Sequence, residues 1–298
     1  MKTSTLTILT LLGAFSASDA LPFKASAKKA RAFVPHTKSI IAIPRGGAIK
    51  PDIAAAAVKT VGIVYLLQGA YCTLAPNANA YAYGIEEMKP CNTKIFRRLG
   101  LSDLNLGVSI FCLVIKDCGL KTAVAINTLV WVAASLYSLW NKESETIGPS
   151  RAGDLSILTV NAVTAYAALN GMDWFMTSFK ALSVYLVASS IPCLFFPKFA
   201  VKLWDIKGGD EMTRGCMVVL GCKISILSVL CTLLAWDVSP ITALGYTFAA
   251  AAAIFTKGYF FSADVDVFKS DKEMLAFWPI SSAVMARTLL SPHTFSSP

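Results

Sequence analysis

A lysine and an aspartate lie within apolar stretches of this chain at related positions, where a charge is costly and often functional. Lys223 lies in the run Leu220-Gly221-Cys222-Lys223-Ile224, and Asp103 lies near the start of another apolar run, 120 positions earlier. An amine and a carboxylate at related positions can meet as a buried pair that gates or binds a solute. The alternative is that Lys223 extends its apolar stem so that its amine reaches the lipid headgroups.

Uncharged amide side chains in the apolar stretches complete a candidate binding set. Amides both donate and accept hydrogen bonds, so they suit the recognition of a polar solute in an apolar interior. The predicted substrate-binding residues are Asp103, Asn105, Lys223, Gln68, Asn127 and Asn161.

The residue types that most enzymes need are scarce. The two histidines, His36 and His293, lie outside the apolar stretches, and no nucleotide-binding, nucleophile-elbow or zinc-protease motif is present. The eight cysteines form no C-x-x-C pair, so they are interpreted as packing residues. We therefore expect no catalytic residue, no metal site and no cofactor, and we do not expect an enzyme.

The composition indicates an integral membrane protein. The 298 residues are 55% hydrophobic and 15% charged, with a mean hydropathy of +0.58, whereas soluble domains carry about 25% charged residues. Because backbone polar groups in a bilayer must be satisfied locally, long apolar segments form helices. The sequence predicts an all-α polytopic protein with about eight spans, near 54–75, 99–117, 120–140, 153–172, 177–196, 215–236, 239–256 and 274–292.

Basic residues concentrate on one side of the predicted topology. The connecting segments 76–98, 141–152, 197–214 and 257–273 contain thirteen Lys and Arg, whereas the opposite side has four. Basic loops stay on the cytosolic or stromal side. Segments 77–98 and 198–214 also contain aromatic residues, so they are predicted to lie as amphipathic elements at the headgroup surface.

Similar residues recur in the same order at an interval of about 120 positions. Val64-Tyr65-Leu66 returns at 184–186, the spacing Cys72-x3-Pro76 returns at 193–197, and Thr122-Ala123 returns at 242–243. The series predicts two four-helix repeats, 51–173 and 174–298, related by an axis along the membrane normal. In outline each repeat resembles small bacterial-type membrane modules of the DoxX-like kind, and this resemblance implies no site residues.

The first fifty residues have the composition of a targeting leader. Lys2, the apolar run 6–15 and the small residues Ser18 and Ala20 predict a signal peptide over 1–20. Residues 21–50 contain seven bases and no acid, like a transit peptide. The two parts together resemble the bipartite plastid presequence of diatom-type algae. That resemblance implies a thylakoid or inner-envelope membrane; the alternative is the endoplasmic reticulum or another secretory-pathway membrane.

Two classes of function remain open from these residues. The first is a transporter for a small solute or ion, since sparse polar groups at a repeat interface suit alternating access. The second is a non-catalytic structural or assembly subunit of a plastid membrane complex. The expected partners are the lipid bilayer and, in the second class, other membrane subunits, and an oligomer is compatible with both. A nucleic-acid partner is not expected, because residues 51–298 carry a net charge of only +2.

Overall fold

Prolines and short polar side chains mark where many of the helices begin. In the computed structural model, which describes residues 51–83, 85, 87–268 and 272–290, prolines open helices at positions 76, 90, 197 and 240. Proline suits the first turn because its φ is already helical and its missing N–H has no partner there. Ser150 and Asp210 cap two other N-termini through side-chain oxygens, and Ser239 caps the helix that begins at Pro240.

The described residues form helices and no β-strand. The helices are α1 (Pro51–Leu74), α2 (Pro76–Ala82), α3 (Pro90–Ile110), α4 (Leu120–Trp140), α5 (Glu143–Thr146), α6 (Arg151–Leu169), α7 (Phe175–Phe195), α8 (Pro197–Leu203), α9 (Glu211–Ala235), α10 (Pro240–Phe260) and α11 (Lys272–Leu290). A π-helical segment, Phe111–Ile115, extends α3, and a 3-10 turn, Ala263–Val265, follows α10.

Six of these helices are long and apolar enough to cross a membrane. They are α1, α3 with its π-helical extension, α4, α6, α7 and α9. The prediction of an all-helical chain with several membrane-length helices is confirmed. The last two predicted spans coincide with α10 and α11, which lie outside this set of six. The predicted leader segments 1–20 and 21–50 lie outside the described residues.

The prediction for the segment before the second span is wrong. Instead of a surface element reaching residue 98, α3 already begins at Pro90, so that its first turns contain Lys94 and Arg98. Both side chains are buried, because they pair with acidic residues of neighbouring elements. The sequence shows that these turns carry charge. Its hydropathy pattern does not show which acidic residues of other elements pair with them.

Helices α3 and α9 form the centre of the bundle. They are the most buried of the six candidate spans, because 72% of the apolar stretch of each helix is buried inside the protein. Lys89 contacts Asp210, Asn92 contacts Thr213, and Asp103 contacts Lys223. Because these contacts advance along both helices in the same direction, α3 and α9 run parallel.

The other helices pack around this central pair in two similar sets. Helix α1 packs on α3, and α4 packs on α6. In the second half of the chain α7 packs on α9, and α10 packs on α11.

Gly100 and Gly221 lie at close contacts between helices. A Cβ atom at Gly100 would lie 2.6 Å from the backbone nitrogen of Thr73 on α1. A Cβ atom at Gly221 would lie 2.7 Å from the backbone nitrogen of Leu194 on α7. Both distances are shorter than a carbon contact allows, so each glycine sets the separation of its helix pair.

Candidate functional site

Asp103 and Lys223 form a buried ion pair between the two central helices. Lys223 Nζ lies 2.8 Å from Asp103 Oδ1, and the two side chains are 2% and 1% exposed. The predicted contact is therefore confirmed, and the alternative that Lys223 reaches the headgroups is wrong. Each charge offsets much of the desolvation cost of the other, which is large in an apolar interior.

Aromatic rings complete the surroundings of the Lys223 amine. Its Nζ lies 4.0 Å from the ring centroid of Trp278, 5.0 Å from that of Phe255 and 5.4 Å from that of Tyr65. The faces of these rings attract a cation. We call Tyr65, Phe255 and Trp278 the aromatic box. The second carboxylate oxygen of Asp103, Oδ2, has no hydrogen-bond partner among the described residues.

A cavity lies on the opposite side of the central pair, between α3, α4, α6, α7 and α9. It has a volume of about 830 Å³, including its open mouth. Binding sites for small molecules have mostly apolar walls with a few precisely placed polar groups. The walls here have that composition, with Leu182, Leu186, Leu220, Ile224 and Leu227 among the apolar residues.

Two amide oxygens in the cavity lining have no hydrogen-bond partner among the described residues. They are Oδ1 of Asn105 on α3 and Oδ1 of Asn127 on α4, and both atoms are buried. The Ser109 hydroxyl fixes the orientation of the second amide. The Ser109 hydroxyl donates to the backbone carbonyl oxygen of Asn105 at 2.8 Å. It therefore accepts a hydrogen bond from Asn127 Nδ2, also at 2.8 Å. Asn127 Oδ1 is therefore the atom left without a donor.

The six predicted binding residues separate into three places. Asp103 and Lys223 form the ion pair, whereas Asn105, Asn127 and Asn161 line the cavity. Asn161 Nδ2 donates to the Ile157 carbonyl oxygen at 2.8 Å. Gln68 is half-buried on α1 and belongs neither to the cavity lining nor to the aromatic box. The sequence therefore identified residues of two distinct sites as one set.

A buried charge network near one end of the cavity was missed. Arg98 lines the cavity and donates to Asp154 Oδ1, and the Asp154 side chain is fully buried. Ser138 donates to Asp154 Oδ2 at 2.6 Å, and Lys94 Nζ lies 2.7 Å from Ser138 Oγ. Glu143 lies 3.5 Å from both Lys94 and Arg97. The spacing Lys94-x3-Arg98, one helical turn on an otherwise apolar face, was the available signal.

A second charge pair joins the ends of the central helices outside the membrane-spanning segments. Lys89 Nζ lies 2.6 Å from Asp210 Oδ2, and the backbone nitrogen of Thr213 donates to Asp210 Oδ1 at 2.9 Å. Partial burial alone raises the pKa of Asp210, but hydrogen bonds from Lys89 and Thr213 outweigh that effect and lower it. The bond to Asp210 raises the pKa of Lys89.

Within the described ranges, no group of three or more His, Cys, Asp or Glu side chains is placed to hold a metal ion. All eight cysteines are free thiols. Compared with protein-family models, curated proteins and solved structures, the chain matches none.

Proposed function

We propose that this chain is a membrane transporter for a small solute and that the cavity between α3, α4, α6, α7 and α9 is its binding site. The observation that carries the proposal is the pair of buried, unpartnered amide oxygens, Asn105 Oδ1 and Asn127 Oδ1, in the wall of that cavity. An unmade hydrogen bond in an apolar interior costs about 1–3 kcal/mol. A solute that donates to these oxygens removes that cost.

We also propose that the chain consists of two parallel four-helix repeats with eight spans, α10 and α11 being the seventh and eighth. Contacts on the central helices support a two-fold axis between them. Lys89–Asp210, Asn92–Thr213 and Asp103–Lys223 each join residues 120 or 121 positions apart. When two units are related by a two-fold axis, a residue of one unit contacts the equivalent residue of the other only where both lie near the axis. These three pairs therefore support an axis that runs between the two central helices.

Charge pairs away from the axis support the same relationship. In the first half Lys94 pairs with Glu143 at 3.5 Å, and in the second half Arg214 pairs with Asp264 at 2.8 Å. The corresponding members are again 120 and 121 positions apart. Alternating access through rocking of one repeat against the other suits a solute site at their interface.

Transport in liposomes tests the proposal. Full-length protein is reconstituted, and uptake is measured for a panel of radiolabelled neutral and charged solutes. We expect uptake of at least one neutral solute to fall about tenfold in Asn105→Leu and Asn127→Leu, with the protein still abundant and monodisperse. Gln68→Leu, an amide of α1 outside the cavity, is the matched control and keeps full uptake.

The competing function gives a different result. A structural or assembly subunit transports no solute, migrates with a large membrane complex on a native gel, and keeps that migration in the Asn105→Leu and Asn127→Leu variants. That combination would overturn the transport proposal.

We propose a plastid membrane as the location, on the basis of the leader composition over residues 1–50. A C-terminal fluorescent fusion of the full-length chain, expressed in a secondary-plastid alga, is expected to label the plastid. Label in the endoplasmic reticulum would contradict this location and favour a secretory-pathway membrane.

A further inference from the structure

We infer that the cavity takes an uncharged amphipathic molecule with an apolar body and a hydroxyl or N–H group that donates a hydrogen bond to Asn105 and Asn127. A lipophilic alcohol is the simplest member of this class. The inference rests on the proposed function and specifies the chemical class of its solute.

The charge balance of the cavity excludes an ionic ligand. Arg98 is the charged side chain in the lining, and its guanidinium is already paired with the buried carboxylate of Asp154. The fully buried pair of Asp103 and Lys223 on the central helices is likewise balanced. A carboxylate or an ammonium ion in the cavity would therefore bring an uncompensated charge into an apolar interior.

The hydrogen bonds of the lining define which polar group the ligand carries. All four hydroxyls of the lining already donate within the protein. Ser109 donates to Asn105 O, Thr128 to Val124 O, and Ser189 to Tyr185 O. The fourth hydroxyl is that of Tyr185, whose partner is Ser156 outside the lining. Because the Ser156 hydroxyl donates to the backbone oxygen of Gly153, the Tyr185 hydroxyl donates to Ser156 Oγ at 3.0 Å. The two amide oxygens have no donor among the described residues, so a ligand that donates a hydrogen bond would satisfy them.

The shape of the cavity sets the rest of the molecule. Leu182, Leu186, Leu220, Ile224 and Leu227 form an aliphatic wall, and Trp131 adds an aromatic surface. These residues give the wall a largely apolar surface, so an apolar body is needed to contact it. A ligand with an apolar body and one polar end therefore matches the composition of the lining.

The corresponding region of the second half does not provide another such site. Tyr185 and Asn161 of the cavity have Tyr65 and Trp278 as their repeat counterparts, at intervals of 120 and 117 positions. Both counterparts belong to the aromatic box, which surrounds the Lys223 amine. We therefore expect this cavity to bind one ligand per chain.

Matched pairs of alcohols and their methyl ethers test the inference, because methylation removes the donor and keeps the body. The probes are octanol, farnesol and cholesterol, each with its methyl ether, together with farnesoic acid and farnesylamine as charged analogues. Binding to purified full-length protein in detergent is followed through the fluorescence change of Trp131, isolated by comparison with the Trp131→Phe variant. Radiolabelled farnesol gives the stoichiometry.

We expect at least one alcohol to bind about tenfold more tightly than its ether, and more tightly than either charged analogue. Asn127→Leu removes this preference, whereas Gln68→Leu keeps it. Asn127→Ala, a smaller change that also removes the acceptor, gives a second variant if Asn127→Leu loses its monodisperse fold. Equal binding of alcohol and ether, or tighter binding of the acid or amine, would overturn the inferred class and leave the cavity as a binding site. No binding of any probe, together with no uptake in liposomes, would instead overturn the proposed function.

Discussion

Lys223 Nζ lies 2.8 Å from Asp103 Oδ1, although the two residues are 120 positions apart in the chain. The contact joins the centres of the two most buried candidate spans, α3 and α9. On the aromatic side Trp278 covers the amine, and on the other side of the central helices lies the cavity. The pair therefore fixes the register of the two central helices beside the candidate binding site.

Removal of one partner of this pair should destabilise the protein strongly. Lys223→Met leaves the Asp103 carboxylate buried without its counter-charge, and such a change costs about 3–5 kcal/mol. The double variant Lys223→Met with Asp103→Leu should recover most of that loss, because no charge is then buried alone. Thermal unfolding in detergent and a double-mutant cycle measure the coupling. Additive effects of the two substitutions would contradict the pairing.

Asp154 should be as important for stability as the central pair. Asp154→Asn keeps the shape of the side chain and its bond to Ser138 but leaves Arg98 and Lys94 without their buried counter-charge. We expect a loss of about 3–5 kcal/mol, seen as a lower midpoint in detergent unfolding. Asp173→Asn, an exposed acid between α6 and α7, is the control and should shift the midpoint by less than about 0.5 kcal/mol.

Alanine at Gly100 or Gly221 should separate the helices that these glycines hold together. The new methyl group meets backbone atoms at 2.6 and 2.7 Å, which no side-chain rotation relieves. Overpacking of this kind costs about 1–3 kcal/mol. Gly153→Ala is the control, because its methyl group meets no atom closer than Pro149 Cβ at 3.2 Å. Equal effects at all three positions would contradict the assignment of Gly100 and Gly221 to backbone contacts.

The contact between Lys89 and Asp210 predicts a loss of stability in acid. Hydrogen bonds lower the pKa of Asp210 in the folded protein, below its unfolded value of about 3.9. The ionised carboxylate therefore stabilises the fold above that value, and the contribution disappears as the pH falls through the lower folded-state pKa. Asp210→Asn keeps the helix cap and should flatten the acid limb of a plot of unfolding midpoint against pH. An unchanged acid limb would contradict the prediction.

The sequence predicted the central pair but not the network around Asp154, and the reason is physical. Asp103 and Lys223 were recognisable because each lies alone in an apolar run and because the two share the repeat interval. Lys94 and Arg98 lie near a predicted helix end, where charges usually face water. Their burial depends on Glu143 and Asp154 from other elements, and a hydropathy window contains no information about those tertiary partners.

The candidate site was predicted in its residue types and only partly in its grouping. Asn105, Asn127 and Asn161 were identified because amides are rare in apolar runs, and all three line the cavity. Gln68 met the same criterion but lies on another helix, away from the cavity. The hydroxyls of Ser109 and Tyr185, which set the donor balance of the site, are too common in membrane helices to be distinguished by residue type.

In the proposed arrangement of two repeats, the opposite charges of Asp103 and Lys223 have a consequence for how the halves of the chain recognise each other. In a symmetric dimer, any residue on the two-fold axis faces an identical residue, so that a lone charge there always meets a like charge. An acid opposite a base at that position favours association of unlike halves and penalises association of like ones. The peptide link between α6 and α7 keeps one copy of each half together, so the chain satisfies within itself a contact that neither half satisfies with its own copy.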